Sequence, residues 1–425
     1  MKKYYFLFGE GSKVNQIICA VLINLPVFVY GASIGWISPM TLLLQSKDSP
    51  TGRPLTDTEI SWIAALPYLM SIPANYLMAF MGDCIGRKLT LIFMSIMGGV
   101  CWIIKLSSLS MWAFILARAA IGVSCAGAYV TCPLYTKEIS QDTIRGFLGT
   151  LEAKRVLGWL RCRSADDVFV RRELQVIKDE QTKDESSSNF ILKAVLSDKI
   201  LFRAFRIAVV VSLAREVCGS VPVLNFAGDI FSMAAGSGLV LTPNQQAMAL
   251  GAVQVAGSAL ASIIVEKAGR KPLLFSTSLV SGLSMGGLAT FFLVRSLGIS
   301  APSWLPIFTL CLCIFCDAAG LQPVSVILTS EIFSFKYRGT VMATTMSMTS
   351  LSDFFQMLFF KPLATTVGAH VAFYFFSLVC LLAALYVILV VPETKTRSLS
   401  EIYLDLRTKK EKALDESVNL DKLEA

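Results

Sequence analysis

Long apolar runs separated by short polar ones dominate the chain. A bilayer core takes about 20 apolar residues per helix. That spacing predicts ten spans, at 17–42, 60–81, 89–106, 111–134, 207–231, 246–265, 273–294, 304–328, 341–365 and 371–391. The one substantial hydrophilic segment before the tail is 150–203. Within it, Leu151–Leu174 sets apolar residues at helical spacing among charges, which predicts amphipathic helices lying under the membrane domain. Their basic face either touches anionic lipid or is simply solvated. Residues 182–188 read as a polar connector, and the charged tail 396–425 as partly disordered. The expected organisation is an N-terminal bundle of four helices (1–149), a cytosolic loop (150–203), a C-terminal bundle of six helices (204–395) and a cytosolic tail (396–425).

Composition turns these runs into membrane spans rather than core helices. Of 425 residues, 54% are hydrophobic and 16% charged, with mean hydropathy +0.63. Soluble domains carry roughly 25% charge. The fold class is therefore an all-α, multi-pass membrane protein. A net charge of +8 does not point to nucleic acid here, because its placement matters more than its sum. Met1–Glu10 is short, aromatic and charged, so no cleavable signal peptide is expected. Most of the eleven cysteines lie inside apolar runs. Cys311, Cys313 and Cys316 have no His or fourth Cys nearby, so they read as small apolar helix residues rather than a soft-metal site. No metal, other cofactor or enzymatic activity is expected.

Arg87, Lys88, Arg145, Lys154, Arg155, Lys267, Arg270, Lys271, Lys336, Arg338, Lys395 and Arg397 all follow even-numbered spans. Connections after odd-numbered spans are poorer in Lys/Arg. The positive-inside rule then puts both termini and the middle loop in the cytosol.

Several of those basic residues belong to an internal repeat, which fixes architecture. Gly82–Lys88 reads G-D-C-I-G-R-K and is followed by Glu138 and Arg145-Gly146. Glu266–Lys271 reads E-K-A-G-R-K and is followed by Glu331 and Arg338-Gly339 at the same Glu-to-Arg spacing. An acid beside Gly-Arg-Lys suits a tight helix–helix turn. Gly permits the turn, and the basic groups bond helix C-termini or a carboxylate. Such charges, repeated, read as a gate that holds two bundles shut on the cytosolic side. Any one alone is also explained as a topology signal.

The chain resembles the sugar-porter branch of the major facilitator superfamily, closest to insect facilitated trehalose or glucose transporters. The matching residues are Gly35–Pro39 (G-W-I-S-P), Gly82-Asp83 with Gly86-Arg87-Lys88, Arg118 with Gly122, and Tyr135–Gly146. The second half adds Val265–Leu274, S-E-I-F before Arg338-Gly339, and Pro392–Lys395 (P-E-T-K). The resemblance covers nearly the whole chain. It implies two pseudo-symmetric helix bundles, a site at mid-membrane, alternating access by facilitated diffusion or proton symport, a sugar as partner, and residence in the plasma membrane among lipids. The gate it implies comprises Asp83, Gly86, Arg87, Lys88, Arg118, Glu138, Arg145, Glu266, Gly269, Arg270, Lys271, Glu331 and Arg338.

Two departures matter. From Gly339 to Pro392 the second half holds two spans in 53 residues, whereas Gly146 is followed almost at once by charged Glu152–Arg155. Family helices five and six are missing after Thr150, so the chain is expected to insert without carrying sugar flux. A splice form or a faulty gene model would both produce this. The second departure is at the substrate positions. Where the family has Q-Q-x-x-G-x-N, this chain has Arg215–Val221, which puts a sugar substrate in doubt. Family polar positions that stay polar are Gln254, Thr349 and Asp353, and with Glu216 these are the candidate substrate residues. Ionisable groups at membrane depth default to functional hypotheses. Arg215, Glu216, Asp317 and Asp353 therefore serve either a charged solute or a proton, or else pair locally as structure. Lys105 and Lys361 are expected to snorkel to an interface. The rival to transport is a solute sensor or regulatory partner descended from a transporter.

Overall fold

The computed structural model describes residues 14–140, 191–234, 242–395, 397 and 399–406. Among these no strand occurs, and each of the ten expected spans falls on helix. The helices are α1 (Val14–Gly35), α2 (Ile37–Leu44), α3 (Asp57–Cys84), α4 (Arg87–Ser107), α5 (Met111–Ala126) and α6 (Cys132–Ser140). After the loop come α7 (Ile191–Ser197), α8 (Lys199–Glu216), α9 (Ser220–Asn225), α10 (Ala227–Ala234), α11 (Pro243–Ala268) and α12 (Arg270–Ser296). The series ends with α13 (Leu305–Cys316), α14 (Gln322–Ile332), α15 (Phe335–Leu363), α16 (Ala369–Val390) and α17 (Leu399–Leu406). Among the described residues, eight stretches are long and apolar enough to cross a bilayer, and the last, Tyr337–Val390, holds most of α15 and all of α16. Residues 151–174, 182–188 and the tail beyond 406, for which helices, a connector and disorder were expected, lie outside the described residues.

The chain divides into two compact units, residues 1–34 with 70–190, and residues 35–69 with 191–425. In the first, α1, α4 and α5 share a core of Ile23, Tyr30, Leu91, Met94, Ile121 and Cys125. The Ser110 hydroxyl accepts from Ala113 N at 3.2 Å and so caps α5.

In the second unit the core joins α8, α12, α14, α15, α16 and α17 through residues such as Phe205, Leu274, Leu328, Val341, Val387 and Ile402. The fifth span begins at Lys199, earlier than the expected 207. Asp198 accepts from the backbone N–H groups of Ile200 and Leu201 at 2.8 and 3.0 Å and starts the helix there. That span is also broken. α8 stops at Glu216, Gly219 turns at φ +88°, and α9 and α10 continue. A Cβ at Gly219 would lie 2.5 Å from the Phe376 ring, so both backbone and space demand glycine. The fourth and eighth spans each carry a π turn, at Gly127–Thr131 and Asp317–Leu321, which start 11 and 14 residues before Glu138 and Glu331. π turns inside helices concentrate at functional sites.

Candidate functional site

Three groups of charged residues stand out, and the Gly-Arg repeat supplies the first. In both halves a long helix ends, one glycine at positive φ reverses the chain, and the next helix starts at an arginine. Gly86 has φ +90° before Arg87, and Gly269 has φ +88° before Arg270. In the second unit this turn is a closed network. Arg270 Nη2 donates to Glu331 Oε1 at 2.8 Å, and Glu331 Oε2 accepts from the Thr394 hydroxyl at 2.6 Å. Glu393 accepts from the backbone N–H of Arg270 (3.0 Å), Lys271 (3.1 Å) and Lys395 (2.9 Å), sitting on the N-terminus of α12 where the helix dipole favours an anion. Burial acts to raise the Glu393 pKa, but the N–H groups of Lys395, Arg270, Lys271 and Thr394 outweigh it and hold the carboxyl below its usual range. Lys395 Nζ donates to the Lys267 carbonyl at 3.0 Å, tying down the C-terminus of α11.

In the first unit, Arg87 pairs with Asp83 one helical turn earlier at 3.0 Å, and the Asp83 side chain is 64% exposed. Lys88 is exposed. Arg118 is fully buried and donates to the Ser33 carbonyl at 2.9 Å. Glu138 and Glu266 lie on α6 and α11, but their side chains, like the whole of Arg145, lie outside the described residues.

The second group sits where the fifth span breaks. Arg215 pairs with its neighbour Glu216 and, through Nε at 3.5 Å, with Asp317 Oδ1 on the π turn. Asp353 on α15 is buried within the field of Glu216, Arg215 and Asp317. Its recorded hydrogen bond comes from the Gln356 amide at 3.5 Å. Thr349, one turn before Asp353, is buried and donates to the Met346 carbonyl at 3.0 Å, so its hydroxyl serves its own helix. Gln254 on α11 is half-buried.

The third group corrects an expectation. Lys361 does not snorkel. It is buried, and its Nζ donates to Asp229 Oδ2 and Gln45 Oε1, both at 2.7 Å, with Asp57 Oδ1 at 3.5 Å. Gln45 in turn donates to Asp57 at 2.7 Å. An ammonium at the end of a long apolar helix reaches water only if no carboxylate is nearer, and Asp229 is. Lys105 is likewise buried, with Nζ 4.6 Å from the Trp102 ring centroid.

A family profile described as "Sugar (and other) transporter" matches residues 17–153 and 150–406. The chain belongs to the sugar transporter family. Within that family, it is 23% identical to the facilitated trehalose transporter of Polypedilum vanderplanki, over 91% of this chain and 87% of that protein. It is 24% identical to the human solute carrier family 2, facilitated glucose transporter member 6, over 90% and 89% of the two chains. The inward-open xylose transporter XylE from E. coli shares its fold, with TM-score 0.62 and 18% identity over 91% of this chain and 99% of that one.

For this sugar transporter family member, sequence reasoning located the Gly-Arg turns, Glu331 and the Arg215 cluster. It set Glu331 beside Arg338 as a working pair, whereas the bond the structure gives Glu331 comes from Arg270. Arg338 donates to the Phe333 carbonyl at 3.2 Å. Glu393 and Thr394 were missed as network members. Their P-E-T-K motif was visible, but only the fold brings residue 393 to residue 270. Asp229, Gln45 and Asp57 were missed too. A lone lysine in the apolar run before Pro362 was the available signal that some acid must meet it.

Proposed function

We propose that the protein is built to carry a sugar of the hexose or trehalose class across the plasma membrane by alternating access, with both termini in the cytosol, and that this chain, two helices short, carries little. The observation that carries this reading is the repeated turn: the same Gly-Arg geometry occurs twice, and in the second half it is closed by Glu331, Thr394 and Glu393. A network of this kind holds helices together on one side and must open for the carrier to turn over. In this reading Asp83, Gly86, Arg87, Lys88, Arg118, Glu138, Arg145, Glu266, Gly269, Arg270, Lys271, Glu331 and Arg338 form the gate. Glu216, Gln254, Thr349 and Asp353 face the solute. The broken fifth span supports this second assignment, because discontinuous helices build transporter sites near the bilayer midplane. The names of the trehalose and glucose relatives support the substrate class.

The first bundle is short by two helices in this reading. The two matched stretches meet and overlap at 150–153, which supports a gap at that point. Uptake of labelled trehalose and glucose into vesicles tests both statements. This chain is expected to show little flux, and a form with two helices inserted after Thr150 saturable uptake. No uptake by the restored form overturns the transport reading. Full uptake by this chain overturns the gap.

A further inference from the structure

The Arg215 cluster does not balance. Three carboxylates, Glu216, Asp317 and Asp353, face one guanidinium, and all four side chains are buried. Fully ionised, the group would carry two net negative charges inside a membrane-spanning bundle. An uncompensated buried charge is too costly to persist, so it either protonates or acquires a cation. Arg215 holds Glu216 and Asp317 directly, which leaves Asp353 the least compensated, with an amide at 3.5 Å.

The surroundings decide what neutralises it. The charged and titratable groups around Asp353 are Glu216 and Arg215 on α8, Cys218 in the break, and Asp317 on the π turn. The cavity that Val217, Ser352 and Gln356 border, about 470 Å³, is otherwise walled by apolar and phenyl side chains and has no charged side chain in its lining. Among the groups around Asp353, Arg215 is the one cation and is already paired twice, so a proton from water is the neutralising species at hand. A second feature points the same way. The Ser220 hydroxyl is fully buried against Asp317 yet makes no hydrogen bond of normal geometry, leaving a polar group free to join a rearranged bond when the cluster changes charge.

We propose that this cluster is a proton-binding site, with Asp353 holding an exchangeable proton while Arg215 stays paired with Glu216 and Asp317. The step is a simple transfer: the Asp353 carboxylate takes a proton from water to become a carboxylic acid, and returns it to water when the cluster opens. Its use in coupling would rest on the transport reading, but the proton itself does not.

The test is infrared spectroscopy of the purified full chain between about pH 5 and about pH 9, a range in which ordinary carboxylates are ionised. Wild type is expected to show the carbonyl stretch of a protonated carboxylic acid near neutral pH, fading as pH rises. Asp353→Asn should lose that band. Glu216→Gln removes one negative charge but keeps Asp353, so the band should fade at lower pH than in wild type. It serves as the second variant should Asp353→Asn fail to fold. A wild-type spectrum without the band, or a band unchanged in both variants at every pH, overturns the proposal. Failure of trehalose or glucose uptake counts against the transport reading alone, since the infrared result needs no solute.

Discussion

The Gly-Arg turn in the first unit and its counterpart in the second share a sequence, a backbone and almost the same φ, yet their charges do different work. Arg87, whose side chain is 14% exposed, reaches back one turn to Asp83 on the preceding helix, which is 64% exposed. Arg270 reaches Glu331, 61 residues away, and the two side chains are 10% and 25% exposed. Exposed i,i+4 pairs contribute little because water screens them. A pair withdrawn from water is different, since each charge depends on its partner to offset lost solvation. A motif therefore specifies a turn. Whether that turn is also a lock depends on what the distant chain brings to it, here Glu331, Glu393 and Thr394.

The largest effect should come from stranding Arg270. Glu331→Ala is expected to lower the stability of the detergent-solubilised protein by about 3 kcal/mol, the scale seen when one partner of a buried pair is removed. Asp83→Ala should cost under about 1 kcal/mol. Equal losses in denaturation midpoints would erase the contrast between the turns. A double-mutant cycle sharpens it. Arg270→Ala with Glu331→Ala should be clearly non-additive.

Next come the glycines. Gly86→Ala meets only the strain of positive φ, about 1 kcal/mol, because a Cβ there has nothing within 4 Å. Gly269→Ala adds a contact 2.9 Å from Glu393 Oε2 and should cost about 2 kcal/mol by pushing the carboxylate off its N–H donors. Thermal melting of both variants, alone and with Glu393→Gln, decides it. If Glu393→Gln leaves the extra loss at Gly269 intact, the carboxylate is not its cause.

The pH dependence of the second turn should be milder. Glu393 has its folded pKa below the unfolded value, so its contribution is complete above the unfolded pKa, about 4.3. It is lost as pH falls through the folded value. Wild type is thus expected to lose stability from about pH 5 downward more steeply than Glu393→Gln. Parallel melting curves for the two would remove Glu393 from the network.

The difference between the turns also marks where the sequence stops being legible. Ten spans could be read because each is an apolar run of bilayer length, and the turns because Gly-Arg-Lys punctuates them. The break after Glu216 was harder. Gly219 sits in a run that otherwise continues as helix, and only Phe376, from the last span, shows why no side chain fits. Lys361 was misread for the same reason. A lysine near a helix end snorkels by default, and the acids that hold it come from residues 57 and 229, far apart along the chain. Local pattern carries local structure, whereas partnership of charges across helices is a property of the packed bundle.

The smallest expected effect tests the first turn from its own side. If Arg87 and Asp83 form only a screened surface pair, Asp83→Asn should change stability by about 0.5 kcal/mol or less at physiological salt. What difference exists should shrink further as ionic strength rises, because the Debye length falls from about 10 Å at 0.1 M to about 3 Å at 1 M. Arg270→Lys in the second turn provides the contrast. It keeps the charge but replaces the planar fork by a compact ammonium. Its cost should persist at 1 M salt because the Glu331 pair is shielded from ions as well as from water. Denaturation midpoints of both variants at low and high salt separate the cases. An Asp83→Asn loss that is large and insensitive to salt would mean that the first turn is a lock as well, with Asp83 facing a partner other than solvent.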